Sequence, residues 1–262
     1  MAGELVFDDV TVRYTRPGRP AVTAVDGAGF TVRPGEVVGL VGESGCGKST
    51  LAKLACGLVP LAGGRVTFDG TPVTPHGLRK RAPRLLRLQM VFQNPYASLN
   101  PRRRIAAQLE DARAIHPGSP APVAELLAGV GLDPALSSRY PHQFSGGQRQ
   151  RIAIARAMAT GPDLLIGDEP IASLDASLQA QVATLMRDVA LASDTSLLFI
   201  SHDLSVVRLI ADRVVVMRAG RVVEEGPTEQ VWSAPQAAYT QRLLAAIPRA
   251  DGLGTIPDVA PA

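Results

Sequence analysis

Apolar residues along this chain fall into short runs broken by turn formers. Val37-Val38-Gly39-Leu40-Val41, Gln89-Met90-Val91-Phe92, Leu164-Leu165-Ile166-Gly167 and residues 196–200 have the length and character of buried strands. Between them the period lengthens. After Lys48, the residues Leu51, Leu54, Ala55 and Leu58 recur at helical spacing. Further helices are expected over residues 105–115, 123–130, about 149–160, 177–192, 204–211, 228–232 and 236–246. The start of the chain differs: Leu5-Val6-Phe7, 10–14 and 22–32 read as strands with no helix between them, around a Pro/Gly loop at 17–20. Gly63-Gly64 are expected to break the chain, and Asp69-Gly70 to turn a hairpin between Val66-Thr67-Phe68 and Thr71-Pro72-Val73. Ala219-Gly220 turns a second hairpin, from 213–218 to 221–225.

Strands alternating with helices imply an α/β fold with a mainly parallel sheet, whose ligand sits at the strands' C-terminal ends. The N-terminal strands add an antiparallel β region. Residues about 94–161 are mostly helical and read as an inserted subdomain. The expected division is one domain over 1–240 and a tail over 241–262, whose last part, from Pro248, is Pro/Gly/Ala-rich and expected to fray.

With 262 residues, 46% of them apolar, a sizeable globular core is available, built on Leu, Val, Ile and Ala because aromatics are only 4%. A net charge of +3 is too small to argue for nucleic acid, despite the pI of 9.1. The basic run Arg79, Lys80, Arg81, Arg84 and Arg87 is expected to be a solvated helix face, since no aromatics interleave to stack on bases. The N-terminus carries Glu4, Asp8 and Asp9 and does not resemble a secretion signal. No apolar run reaches the roughly 18 residues a membrane span needs. A soluble chain is therefore expected, with any membrane role held through a partner. A helix from Lys48 through Cys56 would separate Cys46 from Cys56 by about 13 Å, too far for a disulfide. Two free thiols fit a reducing cytosol. Cys46 reads as a spacer rather than a nucleophile, because no His stands near it in the sequence.

The candidate chemistry starts at Gly42-Glu43-Ser44-Gly45-Cys46-Gly47-Lys48-Ser49-Thr50. It fits the phosphate-loop pattern G-x-x-x-x-G-K-[ST] at Gly42, Gly47, Lys48 and Ser49. An expected strand precedes it and an expected helix follows. Glycines let the backbone curl until several N–H groups share one hollow. The helix N-terminus adds partial positive charge. Lys48 can reach β and γ phosphates, Ser49 can ligate Mg²⁺, and Thr50 is placed for the α phosphate. A nucleoside triphosphate with Mg²⁺ is the implied ligand.

Gln93, Asp168 and His202 also follow apolar runs and should share the loop's edge of the sheet. Asp168 suits the metal. Glu169 suits the general base, which must stand near the γ phosphate and off the metal. His202 can bond the γ phosphate or the attacking water. The four His show no metal-ligand spacing. Ser145-Gly146-Gly147-Gln148 fits a capping box opening a second helix, with two glycines that leave N–H groups free for an anion.

These motifs in this order resemble the ATP-binding-cassette family of transport ATPases over about residues 5–225. The resemblance implies ATP as the nucleotide and a head-to-tail dimer. ATP would be clamped between Gly42–Thr50 of one chain and Ser145–Gln148 of the other. It also implies that Tyr14 stacks on adenine, that Gln93 senses Mg²⁺ and reports to the membrane partner, and that Asp175, in Ser173-Leu174-Asp175, crosses the dimer interface. Phe144 stands where the family usually has Leu, and Gly167 where an apolar residue or Ala is commoner.

A narrower likeness, to ATPases of dipeptide, oligopeptide and nickel importers, rests on residues 92–102, on Tyr140-Pro141-His142-Gln143-Phe144 with Gln148-Arg149-Gln150-Arg151, and on Tyr239-Thr240 with Leu243-Leu244. Ala237-Ala238 replace the usual His-Pro, and the further C-terminal extension is missing. The implied partners are transmembrane permease subunits, a second ATPase subunit, alike or different, and indirectly an extracellular solute-binding protein. The implied place is the cytoplasmic face of the membrane. Exporters and cassette ATPases of DNA repair or translation are the alternatives. Repair members carry long coiled coils between the site halves, translation members two cassettes; neither feature is present. A non-enzymatic ATP sensor would need a damaged catalytic set, and the absence of Asn-Lys-x-Asp disfavours GTP.

Overall fold

The computed structural model describes residues 3–16, 18–77, 81–94, 98–115 and 121–247. Arg79 and Lys80 of the basic run, residues 95–97 of the importer-like segment, and the tail from 248 lie outside them. Strands β1 (Leu5–Arg16) and β2 (Arg19–Val32) pair antiparallel, as the alternation at the start of the chain predicts. β1 is continuous where two strands were expected, because Asp9, at φ 50°, forms a bulge that absorbs the polar pair between Phe7 and Val10.

Strand β3 (Val37–Val41) is buried throughout and leads into helix α1 (Lys48–Ala55). The helix stops short of Leu58 because Gly57 turns out of it at φ 67°. Strands β4 (Gly63–Phe68) and β5 (Thr71–Pro72) complete a small antiparallel sheet in the order β2-β1-β4-β5. Gly63 and Gly64 are strand residues, not a break. A side chain at Gly64 would meet the Asp9 carbonyl at 2.2 Å, so the bulge in β1 requires glycine opposite it.

The larger sheet holds β3 with β6 (Leu88–Val91), β7 (Leu164–Asp168), β8 (Ser196–Ile200), β9 (Arg213–Arg218) and β10 (Arg221–Pro227). Its order is β10-β9-β3-β8-β7-β6. All pairings are parallel except β9–β10, the hairpin around Ala219-Gly220. Between β6 and β7 lie α2 (Ile105–Arg113), α3 (Val123–Gly129) and α4 (Gly146–Met158). After β7 come α5 (Ala176–Ala192), α6 (Leu204–Ile210), α7 (Thr228–Ser233) and α8 (Ala238–Ala245).

Both faces of the parallel sheet are covered, which explains strands that are apolar at consecutive positions. In β8, Leu197 and Phe199 join the core built with α2 to α6, while Leu198 and Ile200 join the core built with α1 and the small sheet. Among the described residues no helix is long and apolar enough to cross a membrane.

The described part of the basic run is not a solvated face. Arg84 and Arg87 lie on a 3-10 turn (Pro83–Arg87) and both donate to the carboxylate of Asp163, whose side chain is 1% exposed. Arg84 also pairs with Asp69 and covers the Phe68 ring at 5.1 Å. The cluster ties the small sheet to the entry of β7. Replacing Asp163 with Ala leaves Arg84 with Asp69 but removes the buried acceptor shared by Arg84 and Arg87, and the protein should lose about 2 kcal/mol once solvent screening of the partly exposed guanidinium groups is allowed for. A urea titration that moves by less than a third of that would show the cluster to be dispensable.

Candidate active site

The parallel sheet places the C-terminal ends of β3, β8, β7 and β6 side by side, and with them the phosphate loop, His202, Asp168–Glu169 and Gln93. Ser44, Gly45, Gly47, Lys48, Ser49, Thr50, Gln93, Glu169 and Ala24 line one cavity of about 270 Å³. Two glycines of the loop are sterically required. A Cβ on Gly42 (φ 149°) would stand 2.1 Å from the Met217 carbonyl, and one on Gly47 (φ 111°) 2.4 Å from the Ala24 carbonyl. Gly47 caps α1 without a side-chain hydrogen bond, so the first-turn N–H groups keep their donors for an anion.

Lys48 is 4% exposed. Its ammonium donates to the carbonyls of Gly42 at 2.7 Å and Glu43 at 2.9 Å, with the Cys46 sulfur at 3.8 Å. The charge is thus held, desolvated, at the mouth of the hollow. Ser49 donates to Asp168 Oδ1 at 2.7 Å. Burial raises the Asp168 carboxyl above its usual range, against the lowering effect of the Ser49 hydrogen bond and of Lys53. A group in that position gains from a nearby cation. A serine hydroxyl and a carboxylate are hard oxygen donors, so the pair fits Mg²⁺. Among the described residues no group of three or more His, Cys, Asp or Glu is arranged to hold a metal ion.

Glu169 follows β7 with φ 47°, an uncommon conformation for a non-glycine residue and one found at functional sites. Its N–H donates to the Ile200 carbonyl at 3.0 Å, and its Oε2 lies 3.3 Å from His202 Nδ1. Adjacent carboxylates therefore split: Asp168 turns to Ser49, Glu169 to His202 and the cavity. Tyr14 is 39% exposed, and its hydroxyl is 3.5 Å from that of Thr50.

Three residues grouped with the nucleotide contacts stand behind the cavity rather than in it. Gly42 and Glu43 turn their carbonyls to Lys48, and the Glu43 N–H donates to the Tyr239 hydroxyl at 3.1 Å. Cys46 is buried; its carbonyl accepts from the Gly220 N–H, and burial raises its thiol. Cys56 is pushed up to about 12 by burial. Both cysteines are unpaired, as the helix rise between them requires. Tyr239 and Gly220 were not legible as loop contacts, because nothing local in the sequence marks a partner almost two hundred residues away.

Ser145 and Gln148 form the expected capping box: Gln148 N–H donates to Ser145 Oγ at 3.3 Å and Ser145 N–H to Gln148 Oε1 at 3.0 Å. Ser145 and Gly146 are exposed, Gly147 and Gln148 partly so, and none of the four lines the cavity. Asp175 is the N-cap residue of α5, but its side chain makes no cap bond. Phe144 is buried in the helical core. Gly167 has a steric reason: a Cβ there would stand 2.9 Å from Met186 Cε and 3.0 Å from Pro170 Cγ, so the Met186 side chain has taken the space.

Residues 25–172 match the ABC transporter family model. The chain is 46% identical over 243 residues to the oligopeptide transport ATP-binding protein OppF of Bacillus subtilis, covering 89% of this chain and 79% of that protein. It is 46% identical over 233 residues to the dipeptide transport ATP-binding protein DppF of Haemophilus influenzae, covering 87% and 71%. Among solved structures, a dimeric ATP-binding cassette in a post-hydrolysis state with ADP and Pi superposes with a TM-score of 0.70 at 25% identity, over 86% of this chain and 98% of that one. The match runs through the phosphate loop, the α4 capping box and the Asp168–Glu169 strand end: this chain belongs to the ABC transporter family.

Proposed function

We propose that the chain is the ATP-hydrolysing subunit of a peptide importer, acting as half of a head-to-tail dimer at the cytoplasmic face of a membrane. One observation carries the dimer. The chain has two glycine-opened helix N-termini, α1 facing the cavity and α4 exposed and outside it. A second cassette, this chain or a sister subunit, would set its own equivalent of Ser145–Gln148 against the γ phosphate. The names of the peptide-transport relatives support the cargo class.

In the proposed reaction the loop amides and the α1 N-terminus hold the phosphates, and Lys48 neutralises β and γ oxygens. Glu169 takes the proton of the attacking water, with His202 fixing the carboxylate's orientation. Ser49 and Asp168 would hold Mg²⁺, with Gln93 beside them; when bound, the cation neutralises charge developing on the phosphate oxygens. Tyr14, at the open side near Thr50, offers a ring for adenine, and Asp175 stands at the start of α5 for the dimer contact. Binding closes the two cassettes and hydrolysis reopens them, which moves the permease subunits. An extracellular solute-binding protein would deliver peptide to those permeases.

Proteoliposomes holding the chain, any sister cassette and the permease pair, given the solute-binding protein with labelled dipeptide or oligopeptide outside, should accumulate peptide only with ATP in the compartment that the cassettes face. Uptake that ignores ATP would sink the importer reading. Ser145→Arg should leave ATP affinity of the isolated chain within about twofold, since the residue lies outside the cavity, yet abolish ATP-driven dimerisation and turnover. Dimerisation by the variant, seen by light scattering, would contradict the head-to-tail arrangement.

A further inference from the structure

The phosphate loop is gripped from behind by the last part of the described chain. The Glu43 N–H, an amide of the loop itself, is turned away from the cavity and donates to the Tyr239 hydroxyl at 3.1 Å. Lys48 holds the carbonyls on either side of that amide. The Gly42–Glu43 peptide is therefore fixed on both its polar edges, at the residue pair where the chain leaves β3.

Tyr239 is well placed to act as a fixed point. It is 6% exposed and belongs to the helical core. The Arg218 guanidinium covers its ring at 5.0 Å. Helix α8, which carries it, is fastened at its start by Glu224 of β10, whose carboxylate accepts the N–H groups of Gln236 at 2.7 Å and Ala237 at 2.9 Å. The adjoining β9–β10 turn reaches the same loop, through Gly220 N–H to the Cys46 carbonyl at 2.9 Å. A loop peptide held by one buried phenol is held by a directional bond that packing alone does not replace.

We infer that Tyr239 is a positioning residue for nucleotide binding: its hydroxyl sets the Gly42–Glu43 peptide, and α8 thereby tunes the affinity of the phosphate loop. The inference rests on the ATPase reading of the site and deepens it. Any contact that draws α8 off the body would loosen the loop and weaken nucleotide binding without touching Glu169 or His202.

The test is Tyr239→Phe in the full chain, which keeps the ring, its packing and the Arg218 contact and removes only the hydroxyl. The Glu43 amide should exchange with solvent at least about tenfold faster in the nucleotide-free variant, given an ordinary hydrogen bond lost. The KM for ATP and the ATP dissociation constant should rise about three- to tenfold by the same measure, with kcat within twofold of wild type. Glu224→Gln, which weakens the fastening of α8, should shift KM in the same direction, and less. Unchanged Glu43 exchange, or a KM within twofold of wild type, overturns the inference; so does a fall in kcat at constant KM. Wild-type protein that fails to bind ATP would instead overturn the ATPase reading, while the exchange result on Glu43 stands independently of nucleotide.

Discussion

Glu169→Gln is expected to lower ATP turnover by a factor of about 10² to 10⁴, the usual worth of a positioned general base. Binding should survive. Glutamine has the shape of the acid and keeps an oxygen for hydrogen bonding, and the residues we propose for the phosphates lie on the loop and α1 rather than on β7. The structure separates the two acids by partner: Asp168 bonds Ser49 at 2.7 Å, while Glu169 faces the cavity and lies 3.3 Å from His202. The left-handed backbone at Glu169 is what turns consecutive side chains to different tasks. With the chemical step stopped, the closed state should accumulate. Size exclusion of the variant with ATP and Mg²⁺ should show a dimer, and without ATP a monomer. A variant that stays monomeric with ATP and turns over at the wild-type rate would remove Glu169 from the role of base.

Lys48→Ala should weaken ATP binding by about ten- to a hundredfold, the worth of a hydrogen bond to a charged group at a desolvated site. Two losses add. The phosphate oxygens lose their cation, and the carbonyls of Gly42 and Glu43 lose the ammonium that holds the loop's curl. Lys48→Arg should not restore the affinity. The 4% exposed ammonium is seated among two carbonyls and a sulfur, and a planar guanidinium does not fit a site made for a point charge. Calorimetric titration with ATP measures both variants; an unchanged dissociation constant for Lys48→Ala would contradict the assignment.

Much of this was legible in the sequence, for a local reason. A phosphate loop is a short pattern of glycines, Lys and Ser, and a capping box spans four residues. Gly42, Gly47, Ser145 and Gln148 could therefore be recognised from their immediate neighbours, although the carbonyls that exclude a side chain at Gly42 and Gly47 belong to the distant Met217 and Ala24. Strands buried on both faces write themselves as continuous apolar runs, so β3, β7 and β8 could be read with their ends. That Gln93, Asp168 and His202 follow such runs was enough to place them at one edge.

Where the reading failed, the deciding contact was long-range. Gly63-Gly64 resemble a break, yet the Asp9 bulge opposite them makes them strand. Arg84 and Arg87 resemble a solvated face, yet Asp163 draws them inward. The Glu43 N–H, part of the phosphate-loop pattern, donates to Tyr239, a partner the pattern does not announce.

By itself the sequence determined the phosphate loop, the two helix starts, the strand-end acids and the alternation that makes the large sheet parallel, because each depends on residues a few positions apart. Only the tertiary structure decided that Glu169 takes a left-handed backbone beside His202, that Ser145–Gln148 lie outside the cavity, and that the last described helix holds the loop from behind. Those outcomes depend on which surfaces the packed sheet brings within hydrogen-bond reach, and no local pattern encodes that distance.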